Sequence, residues 1–239
     1  MSAVTPQRFA MGMTFEQYVK YTGTPENLSR EAGWWLGTRR HDFSGMLQSW
    51  YERARLTDDQ TEAIRWLAAQ PNGPRNVLVI SEEWSSDCRR DVPMIARLAE
   101  AGGLELRIFT RDGQKCGNES RANPSESPNA DIVNEFLRSQ GGQTFQSVPV
   151  AAFFTDRFEH LYHYIEFPAI YHKDRLAKAM QAAARAMETP ERAWDRFIRD
   201  WGAMQRTPFF RMWASAAVDE MLSALHERVI VDPPASSHG

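Results

Sequence analysis

Thiol chemistry in this 239-residue chain rests on two cysteines, Cys88 and Cys116. Cys88 closes the run Trp84-Ser85-Ser86-Asp87-Cys88, and the residues after it, Val92, Ile95, Ala96 and Ala99, recur at helical spacing. Ser85, Ser86 and Asp87 are all good N-cap residues, so the run marks a helix start. A helix N-terminus stabilises a thiolate, the nucleophilic form of cysteine, through its free N–H groups and dipole. Cys88, however, falls on the inward stripe of that helix, where cysteine is usually inert, and the adjacent Asp87 opposes its ionisation by like-charge repulsion. Two readings stay open for Cys88: a working thiol, or a small packed hydrophobe. Cys116 lies in a polar loop, four residues past Asp112, and could either pair with Cys88 or remain a free loop cysteine. A bridge would require their Cα atoms to approach within about 7 Å. His160 and His163 are read onto one face of a strand, but no third ligand is evident, so neither a metal nor a cofactor is expected.

The elements that must position these groups follow from periodicity and turn signals. The first seventy or so residues read as short helices broken at Gly23-Thr24-Pro25 and Gly37-Thr38. Thr57-Asp58-Asp59-Gln60 has the form of a capping box and opens a helix over Asp58 to Gln70 with Ile64, Leu67 and Ala68 inward. Pro71-Asn72-Gly73-Pro74 ends it, and the apolar, β-branched run Asn76 to Ile80 reads as a buried parallel strand. The motif helix follows, stopped by Gly102-Gly103, and Leu104 to Thr110 forms a second strand, completing a right-handed βαβ unit. Arg111 to Pro128 reads as a long loop, Asn129 to Ser139 as a helix with Ile132, Val133, Phe136 and Leu137 inward, and Val148 to Thr155 with Glu159 to Ile165 as an antiparallel hairpin. Asp174 to Met187 is a helix. Phe210, Trp213, Ala214, Ala217, Val218, Met221, Leu222 and Leu225 trace a further helical stripe, with Asp219 and Glu220 on the other side.

Composition narrows the classes of function. A hydrophobic content of 42% in 239 residues supports a substantial core. The net charge of -3 and a pI near 6.1, with basic residues scattered, give no footprint for nucleic acid or an anionic membrane. No window approaches about 18 consecutive apolar residues and Met1 to Thr14 has no signal-peptide pattern, so the expected location is the cytoplasm. There, two cysteines should persist as thiols. Of the eight tryptophans, Trp34, Trp35, Trp66, Trp194 and Trp201 fall in helical flanks or their connections, where core packing is the expected role.

Taken together, a strand ending in Ser81-Glu82-Glu83-Trp84, then Ser-x-x-Cys at a helix start, resembles the thioredoxin superfamily and its Trp-Cys-x-x-Cys motif. Pro93 inside the helix, Val148-Pro149 at the opening of a later strand, and the order β-α-β-α-β-β-α extend the likeness from Arg75 to Met187. It is greatest to bacterial thioredoxin-like proteins with the motif Glu-x-Trp-Cys-x-Asp-Cys. The resemblance implies an α/β fold, a central mixed sheet with flanking helices. The thioredoxin-like domain thus spans 75–187, and the sequence on either side reads as a helical extension over 1–74, a second helical extension over 188–231 packed on the core, and a disordered tail over 232–239.

The resemblance also implies that Pro149 is the family's cis-proline and that Trp84, Ser86, Val148 and Pro149 form the substrate-binding surface. In the family the first cysteine attacks and the second resolves the mixed disulfide. Here Ser85 stands at the attacking position and Cys88 at the resolving one, so no disulfide can close within the motif. The buried acid that thioredoxins carry five residues before the motif tryptophan is replaced by Val79, leaving Glu82 or Glu83 as the nearest proton carriers. One functional expectation is a thiol-disulfide oxidoreductase working through Cys88, alone or with Cys116 and with Ser85 and Asp87 nearby, on a protein or low-molecular-weight disulfide. The alternative is a non-catalytic thioredoxin-like binding or scaffold module. A third expectation is a pocket for a small molecule between the core and the Trp-rich C-terminal helices.

Overall fold

The computed structural model describes residues 2–33 and 39–231. Trp34, Trp35, the Gly37-Thr38 turn and the tail from Asp232 lie outside the described residues. Four strands form one sheet in the order β2-β1-β5-β6: β1 (Asn76–Ser81), β2 (Glu105–Thr110), β5 (Val150–Phe154) and β6 (His160–Ile165). β1 and β2 are parallel, as a βαβ crossover requires, while β5 runs antiparallel to both β1 and β6. The two central strands, β1 and β5, are buried along their whole length, which is why their sequences are continuous apolar runs rather than alternating ones.

Local signals set the helix boundaries. Thr14 caps α2 (Phe15–Thr22) and Thr57 caps α5 (Asp58–Ala69), each in a capping box with the glutamine three residues on. The short α1 (Pro6–Ala10) and α3 (Pro25–Leu28) both begin with proline behind a capping threonine. α4 (Ser44–Arg53) and α5 pack on α6 (Ser86–Gly102), the motif helix, which contains Pro93 and ends on Gly103 at φ 65°. Val4, Phe9, Tyr18 and Leu47 from the N-terminal segment enter the same apolar core as the sheet.

The segment after β2 departs from the expected helix over Asn129 to Ser139. A single turn, α7 (Ala130–Val133), buries Ile132 and Val133, and Phe136 is buried just beyond it. The chain then extends into β3 (Arg138–Gln140), which pairs with β4 (Gln143–Phe145). Gly141 and Gly142, at φ 59° and 78°, form the two-residue turn between them. Two adjacent positive φ angles match a hairpin turn that glycine adopts without steric cost, and this hairpin takes over the end of the predicted helix.

Beyond the sheet, α8 (Lys173–Met187) and α9 (Pro190–Met204) pair with one another, and α10 (Pro208–Ile230) crosses α5, α6 and β6. All eight residues of the predicted stripe in α10 are buried. Its other face is bound as well: Gln60 Nε2 donates to Asp219 at 2.7 Å, and Glu220 accepts the Ala169 N–H at 2.9 Å. Core packing does not account for three of the tryptophans. Trp66 is 47% and Trp194 36% exposed, and Trp201, half-buried, packs against two small apolar clusters rather than the main core.

Since α10 carries core residues, Leu225→Ala should lower unfolding free energy by about 2–5 kcal/mol, the range for a truncated core leucine. Urea unfolding followed by circular dichroism measures this. A loss below about 0.5 kcal/mol, typical of a surface position, would mean that α10 does not share the core.

Candidate functional site

β1 delivers the chain to the site with Ser81, Glu82, Glu83 and Trp84, all buried. Ser85 then takes the N-cap position with extended backbone angles, and its carbonyl accepts the Arg89 N–H at 3.1 Å. Cys88 is 1% exposed. Its sulfur accepts the Glu82 backbone N–H at 3.4 Å and also meets the hydroxyls of Ser81 and Ser85. Burial pushes the thiol pKa up to about 12, and these hydrogen bonds offset only part of that rise. Asp87 adds a smaller push in the same direction. Of the other motif residues, the structure therefore brings Ser85 onto the closed Cys88 sulfur.

Asp87 itself is committed elsewhere. Burial would raise its pKa, but Lys173 and Arg90 outweigh burial and hold the carboxyl below its usual range. Arg90 donates to Asp87 at 2.7 Å and grips Asp91 through both Nε and Nη2 at 2.7 Å. Tyr164 donates to Asp91 at 2.8 Å, and Lys173 also reaches Glu166 at 2.6 Å. This cluster ties α6 to β6 and α8.

A second ionic cluster occupies Glu82 and Glu83, the expected proton carriers. Arg40 Nη1 lies 2.7 Å from Glu82 and 2.8 Å from both Glu83 oxygens, and Arg30 Nη2 lies 2.8 Å from Glu82. Burial raises Glu82, yet Arg30 and Arg40 more than offset it and hold the carboxyl low. Glu83 is raised, by burial first and by Glu82 second. Neither carboxylate is what touches Cys88; the Glu82 backbone is. Nor does Val79, fully buried in β1, offer a proton-carrying group in place of the missing acid. Asp112 joins the cluster through Trp84 Nε1 at 3.0 Å and Arg111 Nε at 2.7 Å. The Arg111 guanidinium also lies 5.0 Å above the Trp84 ring. Gly33 covers that ring so closely that a Cβ there would come within 2.7 Å of it.

Cys116 belongs to this second cluster. Its sulfur accepts from Arg111 Nη2 at 3.4 Å, and burial followed by Asp112 lifts its pKa to about 11. Both cysteines are free thiols with different partners, and the structure does not join them. His160 and His163 meet as expected, with ring nitrogens 3.2 Å apart, but for a reason the period of two does not supply. Residues three apart face opposite sides of a regular strand; the register shift opposite Phe153 and Phe154 brings these two together. Burial, then the neighbouring His163, lowers the His160 pKa to about 4. Among the described residues no group of three His, Cys, Asp or Glu side chains could hold a metal ion.

The Val148–Pro149 peptide bond is cis. Val148 leaves both its N–H and its C=O without a hydrogen bond among the described residues. It lines a cavity of about 400 Å³ together with Trp84, Ser85, Ser86 and Asp87. Phe145 and, from α9, Phe197, Ile198 and Trp201 supply apolar lining, beside charged residues such as Arg111, Glu166 and Lys173. Thus Trp84, Ser86 and Val148 from the expected binding surface share one cleft, next to Pro149.

A family model described as Thioredoxin matches residues 38–181, more than half of the chain. The chain belongs to the thioredoxin family. The matched span takes in α4 and α5 as well as the sheet, and the fold is α/β thioredoxin-like with additional helices at both ends. Two solved structures are similar. One is a protein of unknown function from Pseudomonas aeruginosa, 13% identical, with 93% of this chain and 98% of that chain covered and a TM-score of 0.48. The other is an HIV epitope-scaffold, 14% identical, with 82% and 92% covered and a TM-score of 0.41. No curated protein matches the chain. Among the described residues no helix is long and apolar enough to cross a membrane.

Arg30, Arg40 and Lys173, which hold the motif in place, are residues that motif reading does not find. The available signal is the Glu82-Glu83 pair directly after an apolar strand, since buried carboxylates need cationic partners. Replacing Arg40 by methionine would leave those carboxylates buried and short of a counter-charge. Arg40→Met should cost about 3–5 kcal/mol in urea unfolding, and a cost under about 1 kcal/mol would show that Arg30 alone suffices. Raised pKa values keep both thiols protonated at mildly alkaline pH. Iodoacetamide should therefore modify half-buried Cys116 at a rate that climbs with pH towards about 11 and leave Cys88 intact until the protein unfolds. Peptide mass mapping of the labelled native protein distinguishes the two, and early labelling of Cys88 would contradict the closed geometry.

Proposed function

We propose that this protein is a non-catalytic thioredoxin-like binding module that holds an extended peptide segment in the cleft beside Val148 and Pro149. The observation that carries this reading is the enclosed Cys88 sulfur, with serine rather than cysteine at the attacking position that lines the cleft. Disulfide exchange needs a thiolate that can reach a disulfide sulfur in line. Cys88 is 1% exposed, its pKa lies near 12, and a serine hydroxyl does not form a stable bond to sulfur. Peptide binding, by contrast, needs what the cleft retains: one free backbone donor and acceptor at Val148, and an apolar wall for alternate side chains. The Arg30 and Arg40 cluster and the Lys173 cluster stiffen both sides of this cleft without supplying a reacting group. A single-thiol oxidoreductase working through Cys88 is the competing reading, and the same assay separates the two.

Dithiothreitol-coupled reduction of insulin is the measurement. Wild type and Cys88→Ala should both run at the uncatalysed rate, while Ser85→Cys restores the first cysteine of the motif at the cleft wall and should turn over. Wild-type turnover that Cys88→Ala removes would overturn the binding reading in favour of the oxidoreductase. Selection of phage-displayed peptides should recover apolar, extended sequences on wild type and lose them on Ser147→Arg, which fills the cleft mouth; equal recovery on both would place peptide binding elsewhere.

A further inference from the structure

A second cavity of about 710 Å³ lies beside the cleft, and Ile198, Trp201 and Ser86 line both. Phe43, Trp50, Trp201 and Phe210 give it aromatic walls. Its charged lining is Arg53, Arg89, Arg206 and Arg211, and no carboxylate is among the described residues that line it. This differs from the rest of the interior, where Arg30, Arg40, Arg90, Arg111 and Lys173 each lie against Asp or Glu.

Arg89 is the central group. It is 6% exposed, and its guanidinium is held by neutral acceptors only: Glu83 O and Trp84 O at 2.8 Å and Gln205 Oε1 at 3.3 Å. Its Nε is the one buried side-chain nitrogen or oxygen without a hydrogen-bond partner among the described residues. The Phe43 ring lies 4.2 Å from the guanidinium carbon. Burial lowers the Arg89 pKa to about 10, and Asp87 and Glu83 offset this only in part, so an anion placed in the cavity would relieve a real desolvation penalty. Arg206 and Arg211, exposed on the same cavity, form no ion pair among the described residues, and Arg53 lies over the Trp50 ring at 5.2 Å.

We infer that this cavity is a binding site for a small phosphate ester bearing a planar apolar group, with the phosphate taken by Arg89, Arg206 and Arg211 and the planar group by the aromatic walls. Guanidinium groups pair with phosphate through two parallel N–H donors, and the anion displaces the long Gln205 contact to reach Arg89. Phosphate is favoured over carboxylate because a monoester brings nearly two negative charges and three acceptor oxygens to a site with several cations and no acid. The aromatic walls select an ester over the free ion. The site stands independently of peptide binding in the cleft.

Phenyl phosphate is the probe, titrated into the full chain by calorimetry and by tryptophan fluorescence, which Trp50 and Trp201 report. One saturable site is expected, weakened by added salt. Inorganic phosphate and benzoate, each lacking one half of the recognition, should bind at least about tenfold more weakly. Arg206→Ala and Arg211→Ala, both at exposed positions, should each weaken phenyl phosphate by about tenfold without shifting the urea midpoint. Arg89→Met should abolish binding, and should that variant not fold, the two exposed arginines decide the matter. Ser147→Arg should leave phenyl phosphate binding unchanged, which separates this site from the peptide cleft. Absence of saturable binding, or binding indifferent to Arg206→Ala and Arg211→Ala, overturns the proposal; benzoate binding as tightly as phenyl phosphate overturns the choice of phosphate.

Discussion

The buried ion pairs of Arg40 with Glu82 and Glu83 are the constraint on which the rest of the site depends. Two adjacent carboxylates at the end of a fully buried strand would repel one another and lose their hydration. Arg40 and Arg30 neutralise them, and the same side chains reach Asp112 and the carbonyls of Asp112 and Gly113 on the loop after β2. The turn from β1 into α6 is thereby held against the loop from β2, with Trp84 fixed between Gly33 and Arg111. Buried ion pairs seldom add much net stability over apolar packing, since desolvation consumes most of the Coulomb gain. What this one does supply is position. It draws the N-terminal segment across the carboxyl end of the sheet and sets the direction in which α6 begins.

That direction determines the state of Cys88. The helix N-terminus that would activate a cysteine at position 85 instead presents serine, and one turn later Cys88 faces the core under the Ser81 and Ser85 hydroxyls. The Asp87, Arg90 and Lys173 cluster fastens the other side of α6 to β6 and α8, so the wall formed by α8 and α9 stands opposite the motif. Two cavities share Ile198 and Trp201: one has Val148, whose backbone is unpaired among the described residues, the other four arginines and no carboxylate among its described lining.

Element order was legible because its signals are local. The capping box at Thr57, the apolar run of β1 and the α10 stripe are each written within a few residues of where they act. The β3–β4 hairpin was missed although Gly141-Gly142 is a local signal, because the apolar residues before it fit a helical period equally well. Trp66 and Trp194 were misjudged for another reason. Exposure depends on what lies opposite a helix face, and periodicity describes only the face.

By itself, the sequence determined that a thioredoxin-like βαβ unit carries Ser-x-x-Cys where a dithiol would stand, and hence that no disulfide closes within the motif. Only the tertiary structure decided that Cys88 is enclosed, that Cys116 belongs to the Arg111 cluster, and that Arg89 is buried without a carboxylate. Residues separated by 42, 52 or 86 positions make the ion pairs that hold the motif within this arrangement. Charge pairing and desolvation act through space, and the distances on which they depend exist only once the chain has folded.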